Sequence, residues 1–400
     1  MERSGFQSLA SILQPCSLEE FLSVNWGKTY KHVAGWPSKF SHLLPWNRLN
    51  EILQQHRLDF PRLRLTRDGE RLRPETYLRY TTGRRKTSVP RLRQAELTRE
   101  LSLGASLVLD AVDELHGTLT ELAEDLELFF RARIQINSYA GWRTSRGFDL
   151  HWDDHDVFIL QVDGRKRWVV HGPTIPHPLP GDSKEQKPEG PPLWDQILNT
   201  GDLLYIPRGF WHVAFPLDEP TLHLTVGVHN RTGLDLARWV TERLHTSETF
   251  RQDLPLFASA ELRAAYLDQI RSELLDQLDD DLLNRYFQEL DANTTARARF
   301  SLPWSPTPEV LPESPQTLLR WLAPRPLDLH AKDGIIEFSS QKKRWRFSAA
   351  ALIILQRLET NRTCSVSELC EAAGPTLPPE TVRAFLQELI SNGLVAIVSV

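Results

Sequence analysis

The sequence predicts an α+β protein, with a β-rich amino-terminal part followed by helices and then by a small mixed domain. Three observations carry this expectation. Between Ala132 and Thr225, short apolar runs such as Phe158–Val162 alternate with turn residues, which is the pattern of strands. After Asn230 the spacing becomes helical, first through Leu236, Trp239, Val240 and Leu244, then through Leu262, Tyr266, Ile270, Leu274 and Leu278. Beyond the proline-rich linker Pro303–Pro326, the remaining residues read as a strand pair, three helices and a last strand.

Taken in order, Leu9, Ile12 and Leu13, then Leu18, Phe21 and Leu22, suggest short helices. From Phe60 to Arg93 the chain is basic, with 11 lysines and arginines from Arg62 to Arg93. That stretch is either a solvated surface or a rim that meets an acidic segment or an RNA-associated partner. Its only tyrosines are Tyr77 and Tyr80, so it gives base stacking little support. Leu107–Val112 then reads as a strand, Leu119–Phe130 as an amphipathic helix and Ala132–Ala140 as a second strand.

His151 and Asp153 follow, two apart, so an extended segment points both to one face. His212 ends an apolar run broken by Pro207 and Gly209. Two imidazoles and one carboxylate, with coordination positions left open, form the ligand set of a non-haem Fe(II) oxygenase. Between these halves, Phe158–Val162, the turn Asp163-Gly164 and Arg165–Val170 read as a hairpin, which would set Gln161 opposite Lys166 and Ile159 opposite Trp168. A strand lysine is usually a solvated edge residue. The alternative for Lys166 is an inward cation that holds a ligand carboxylate. Fully extended, Asp153 to Gln161 would span roughly 26 Å at ~3.3 Å per residue, too far for one small ligand, so a bend is expected within Asp154-His155-Asp156.

These residues resemble the JmjC-type ribosomal oxygenases of the cupin superfamily, which are Fe(II)- and 2-oxoglutarate-dependent protein hydroxylases. The matching stretches are H-W-D-D-H-D-V-F-I-L-Q-V-D-G-R-K-R-W from His151 and G-D-L-L-Y-I-P-R-G-F-W-H ending at His212. The resemblance implies a double-stranded β-helix (cupin/JmjC jelly roll) with His151, Asp153 and His212 as iron ligands and Lys166 on 2-oxoglutarate. It also implies pocket roles for Asn137 and Tyr139, in an N-x-Y strand, and for His223 and Thr225. Phe21–Val33 resembles the helix-then-strand entry of the family. The loop Gly141–Gly147 immediately precedes the iron strand, so Trp142, Arg143 and Arg146 are candidates for substrate contact, against the plainer reading of a disordered polar loop. His155 is read as pocket lining or as part of the bend, and His171 and His177 as surface residues.

The domains expected are 1–230 catalytic, 231–320 helical and resembling the family's dimerisation segment, and 321–400 resembling a winged helix. In the last, Gly334–Phe347 reads as the strand pair, Ala349–Leu358, Ser365–Ala373 and Pro379–Ser391 as helices, and Leu394–Val400 as the final strand. Its third helix sets Arg383 against Glu380 and Glu388, so no DNA binding is expected. A net charge of −5 describes an ordinary soluble chain without excluding a basic groove. Three cysteines in no metal-like spacing suggest a reducing compartment, and no apolar run reaches ~18 residues, so a cytoplasmic protein without membrane contact is expected.

The implied function is hydroxylation of an arginine or histidine side chain in a polypeptide, a ribosomal protein foremost, using Fe(II), 2-oxoglutarate and O2, by a homodimer. Alternatives are a peptide natural product as substrate, N-demethylation by the same chemistry, a cupin enzyme without 2-oxoglutarate, and a non-catalytic binding protein. The cupin enzymes of that third kind usually show His-x-His with a nearby glutamate, which this chain lacks.

Overall fold

The computed structural model describes residues 4–82, 88–183, 185–307, 311–327 and 329–399. Arg84, Arg85 and Lys86 of the basic stretch, residues 308–310 of the proline-rich linker and Val400 of the last strand lie outside them. The chain divides into two compact units, Met1–Asn230 and Arg231–Val400. Among the described residues no helix is long and apolar enough to cross a membrane.

In the first unit, α1 (Ser4–Leu13) and α2 (Leu18–Glu20) lead through a π turn to β1 (Lys31–Val33). Ser17 caps α2 by accepting a hydrogen bond from the Glu20 amide. After α3 (Trp46–Gln55) come β2 (Leu63–Arg67), β3 (Glu70–Arg71), β4 (Leu78–Thr82), β5 (Ser88–Leu92), α4 (Gln94–Ser102), β6 (Ser106–Leu109) and α5 (Gly117–Phe130). The remaining strands are β7 (Arg133–Gly141), β8 (Asp156–Asp163), β9 (Lys166–Pro173), β10 (Trp194–Leu198), β11 (Leu203–Ile206), β12 (Phe210–Pro216) and β13 (Thr221–His229).

Two sheets result. Eight strands run in the order β1-β11-β8-β13-β7-β6-β2-β3, and three in the order β10-β9-β12. From β8 to β13 the chain passes back and forth between them, which is the double-stranded β-helix. Every residue of β8 except Asp163 is buried, because helices cover one face and the smaller sheet the other. Its unbroken apolar sequence follows from that double burial.

One expectation is corrected. The strands flanking Asp163-Gly164 do not pair with each other. Gln161 lies opposite His223 on β13, and Lys166 opposite Leu198 on β10 and Pro216 on β12. Gly164, at φ +65, would place a Cβ 2.0 Å from the Pro220 carbonyl oxygen. The turn is therefore packed against the start of β13 and sends the chain into the other sheet, where Trp168 and Val170 join a separate apolar cluster. The expected bend is present at Asp154 and His155, just before β8.

The second unit opens with α6 (Gly233–Arg243), whose Thr232 and Asp235 form a capping box, followed by α7 (Glu248–Arg251), α8 (Ala260–Gln277) and α9 (Leu282–Asn293). No residue of α8 is buried. The carboxy-terminal part has β14 (Leu318–Trp321), β15 (Ala331–Lys332), β16 (Ile335–Ser340), β17 (Lys343–Ser348), α10 (Leu352–Asn361), β18 (Thr363–Ser365), α11 (Val366–Ala373), α12 (Pro379–Ser391) and β19 (Val395–Ser399). The three helices close on the sheet β18-β14-β19 around Trp321, Ile354, Leu358, Leu369, Leu386 and Leu389. Arg383 is engaged locally, donating to the carbonyls of Leu311 and Pro312.

Candidate metal centre

The ligand set is assembled by one short backbone contact. His151 and His212 form an isolated antiparallel bridge, with the His212 amide donating to the His151 carbonyl at 2.7 Å and the reverse bond at 3.1 Å. Side chains of directly opposed residues lie close together, and the two imidazole centroids are 4.5 Å apart. Each ring has its Nδ1 against a nearby carbonyl, Asp149 at 2.8 Å for His151 and Phe210 at 3.1 Å for His212. Such a contact fixes the tautomer and leaves Nε2 free as a ligand atom. Both Nε2 atoms turn to the Asp153 carboxylate, at 3.9 Å from His151 and 3.5 Å from His212. Ligand atoms of the three residues lie within 4.8 Å of one another. Burial, then the neighbouring His151, lowers the His212 pKa to about 4, so this imidazole is neutral and able to bind a cation at pH 7.

The loop before β12 locks the third ligand. The Gly209 amide donates to the Asp153 carbonyl at 3.0 Å. Gly209 has φ +84, and a Cβ there would lie 2.6 Å from Pro178 Cδ. Beneath it the buried Asp156 carboxylate accepts from the Tyr205 hydroxyl at 2.7 Å, from Asn230 Nδ2 and from the Arg208 amide at 3.3 Å. Asp156 thereby ties the start of β8 to β11, to the Gly209 loop and to the end of β13.

The three ligands border a cavity of about 310 Å³ whose floor crosses the large sheet. Ile159 of β8, His223 and Thr225 of β13, Asn137 and Tyr139 of β7, Ser106 of β6 and Arg64 of β2 all line it. Lys166 and Trp168 enter from the smaller sheet. Lys166 is 5% exposed and, among the described residues, has neither an ion pair nor a hydrogen bond. Burial lowers its pKa to about 7. The Trp168 ring lies 5.9 Å from its ammonium. His223 is held neutral by burial and by Lys166, and it stacks on Tyr139 with centroids 4.9 Å apart. Burial, and then Asp110 and Asp153, push the Tyr139 hydroxyl above its ordinary range. Asn137 Oδ1 accepts from the Ala111 amide at 2.9 Å, so that side chain also anchors the segment after β6.

His151, Asp153, His212, Lys166, Asn137, Tyr139, His223, Thr225 and His155 are thus brought to one cavity. His155 stacks on His229 with centroids 4.3 Å apart. The loop candidates do not line this cavity. Trp142 lines a different cavity with Trp46, Arg143 pairs with Asp218 at 3.1 Å, and Arg146 pairs with Asp149 at 2.8 Å. From the same loop region, Gly147 and Phe148 reach the metal cavity instead. Sequence reading did not single out Arg64, Ser106, Phe148 or Trp168 for this site. Trp168 was accessible to it, being two residues from Lys166 on one strand. Arg64, paired with Asp110 at 2.7 Å, and Ser106 arrive through the β2-β6-β7 pairing, which leaves no local signature.

Residues 115–236 match the JmjC domain family model. Two curated proteins called "Bifunctional lysine-specific demethylase and histidyl-hydroxylase NO66" are among the relatives. The one from Drosophila persimilis is 28% identical over 294 residues, covering 66% of this chain and 40% of that protein. The one from Drosophila yakuba is 30% identical over 236 residues, covering 57% of this chain and 33% of that protein. The chain thus spans less than half the length of these relatives. Among solved structures, the ribosomal oxygenase YcfD from Escherichia coli superposes with a TM-score of 0.59 at 19% identity, over 96% of this chain and 99% of that one. Its complex with cobalt and 2-oxoglutarate gives 0.60 at 17% identity, over the same shares of the two chains. This likeness establishes a shared fold.

Proposed function

We propose that this chain, whose residues 115–236 form a JmjC domain, is an Fe(II)- and 2-oxoglutarate-dependent oxygenase that hydroxylates a side chain of a polypeptide. The observation that carries the reading is the pairing, in one cavity, of a His-Asp-His donor set with a buried ammonium that has no counter-ion among the described residues. The donor set fits Fe(II), since two imidazoles and a carboxylate on one side leave positions open for other ligands. The unpaired Lys166 fits the distal carboxylate of 2-oxoglutarate, because a buried charge is unfavourable until an opposite charge joins it. With O2, the bound metal and cosubstrate supply the oxidising chemistry that hydroxylates an unactivated C–H bond.

The chain's own residues do the positioning. The bridge between His151 and His212 and the Gly209 amide on Asp153 fix the ligands. Tyr139, His223, Asn137 and Thr225 form the cosubstrate wall, and His155 faces the substrate side. A cavity of about 310 Å³ has room for a small dicarboxylate and one side chain, which favours a single protruding residue as target. Arginine or histidine in a ribosomal protein is the target favoured by the names of the relatives, one a histidyl-hydroxylase and one a ribosomal oxygenase. Residues 1–230 would be the catalytic domain, 231–320 a helical dimerisation segment and 321–400 a winged helix, in a cytoplasmic homodimer. The exposed leucines of α8 support the dimer.

Anaerobic titration of the Fe(II)-loaded protein with 2-oxoglutarate tests the core of this reading. A weak visible charge-transfer band is expected for the wild type, lost in His151→Ala and needing far more ligand in Lys166→Ala. Iron binding without a band would refute the cosubstrate assignment and favour other cupin chemistry.

A further inference from the structure

The hairpin β4–β5 lies outside the metal site and has an unusual charge distribution. Residues 78–92 contain five cations and no carboxylate. Of the two described cations, Arg79 sits directly opposite Arg91 in the antiparallel register. Like charges in that position destabilise a strand pair. Elsewhere in the basic stretch, Arg62, Arg64, Arg67 and Arg93 pair with Glu114, Asp110, Glu100 and Glu96. Arg79 and Arg91 have no such partner among the described residues. Glu96, whose carboxyl feels Arg79, is hydrogen-bonded to Arg93. An uncompensated pair of this kind is what an external anion would relieve.

Beside the hairpin is a cavity of about 640 Å³. Arg91, Arg57 and His56 line it, and no carboxylate does. Arg57 Nη2 donates to the Ser88 carbonyl at 2.7 Å, which holds this third guanidinium against β5. Two part-exposed indoles, Trp46 and Trp142, complete the wall with ring centroids 5.8 Å apart. The basic stretch itself has few aromatics, so this platform comes from segments distant in sequence.

Phosphate-binding guanidinium groups beside an aromatic wall match the requirements of single-stranded nucleic acid, in which charge tracks the backbone and bases stack on rings. The carboxylates of an acidic polypeptide would neutralise the arginines but not stack on the indoles, whereas each nucleotide brings both an anion and a flat base. We propose that Arg57, Arg79 and Arg91, with the cavity walled by Trp46 and Trp142, bind single-stranded RNA without sequence preference. This goes beyond the oxygenase reading and does not depend on iron.

The test is fluorescence anisotropy of a fluorescein-labelled oligouridylate with the full chain across a range of salt concentrations. Binding should weaken steeply with salt. In the double variant Arg79→Ser, Arg91→Ser the slope of log K against log salt should shrink by about 1.4, at about 0.7 per lost contact on a single strand. Arg91→Glu gives Arg79 a carboxylate to face, so it should abolish binding while raising the Tm. A structural role for Arg91 would predict a lower Tm, and that result would overturn the proposal. So would absence of wild-type binding, or equal binding by the variants. Competition by polyglutamate or inorganic polyphosphate as effective as that by unlabelled oligouridylate would overturn the RNA assignment.

Discussion

Lys166 is the side chain whose energetics depend most on a ligand. Its ammonium is buried without a counter-ion among the described residues, and burial lowers its pKa to about 7 from the usual 10.5. Between those values the unfolded chain binds more protons than the folded one, so the ligand-free fold should gain stability as pH rises through that window. Cosubstrate binding should run the other way. A dicarboxylate needs the charged form, so its affinity should fall above about pH 7, by up to about tenfold per pH unit. Isothermal titration across pH 6–9 checks this, and a flat profile would rule out Lys166 as the anion anchor. Lys166→Met should separate the two effects. It removes the buried charge and should stabilise the ligand-free protein by about 1–3 kcal/mol in urea unfolding, while 2-oxoglutarate affinity falls about 10- to 100-fold.

At the scale of elements, the metal site depends on one loop. Gly209 combines φ +84, contact with Pro178 and a hydrogen bond to the Asp153 carbonyl. Gly209→Ala should cost about 1–3 kcal/mol of stability and weaken Mn(II) binding, because the loop must shift away from Asp153. Metal titration followed by urea unfolding measures both, and unchanged metal affinity would show that the loop does not position the ligand. Such positioning explains what the sequence revealed and what it did not. His151, Asp153 and His212 were legible because residue type and alternation specify them locally. The partner of Lys166 was not legible: Asp163-Gly164 has the sequence of a hairpin turn, yet burial of β8 on both faces and the contact of Gly164 with Pro220 direct the next strand into another sheet. Arg64 and Ser106 reach the cavity only through pairing of distant strands. The candidates in Gly141–Gly147 were placed by proximity in sequence, whereas that loop turns Trp142 one way and Gly147 the other.

At the scale of the whole molecule, α8 has no buried residue, and Leu267 and Leu275 are more than half exposed. Solvent-facing leucines grouped on one helix are the kind of apolar surface a protein partner covers. The homodimer proposed above supplies one, and replacing Leu267 and Leu275 by Asp should shift the protein from dimer to monomer in sedimentation velocity. A wild type that sediments as a monomer at micromolar concentration would exclude this role for α8.

The bridge between His151 and His212 has a consequence of its own. Its two amides donate to each other's carbonyls across an isolated bridge, separate from the ladder in which His212 of β12 pairs with Val170 of β9. Their exchange with deuterium therefore acts as a clock for openings that separate the backbones of the two histidine ligands. A bound divalent ion, joining both side chains across the bridge, would slow that clock at His151 and His212 together and leave the amides of β4–β5 at their original rates.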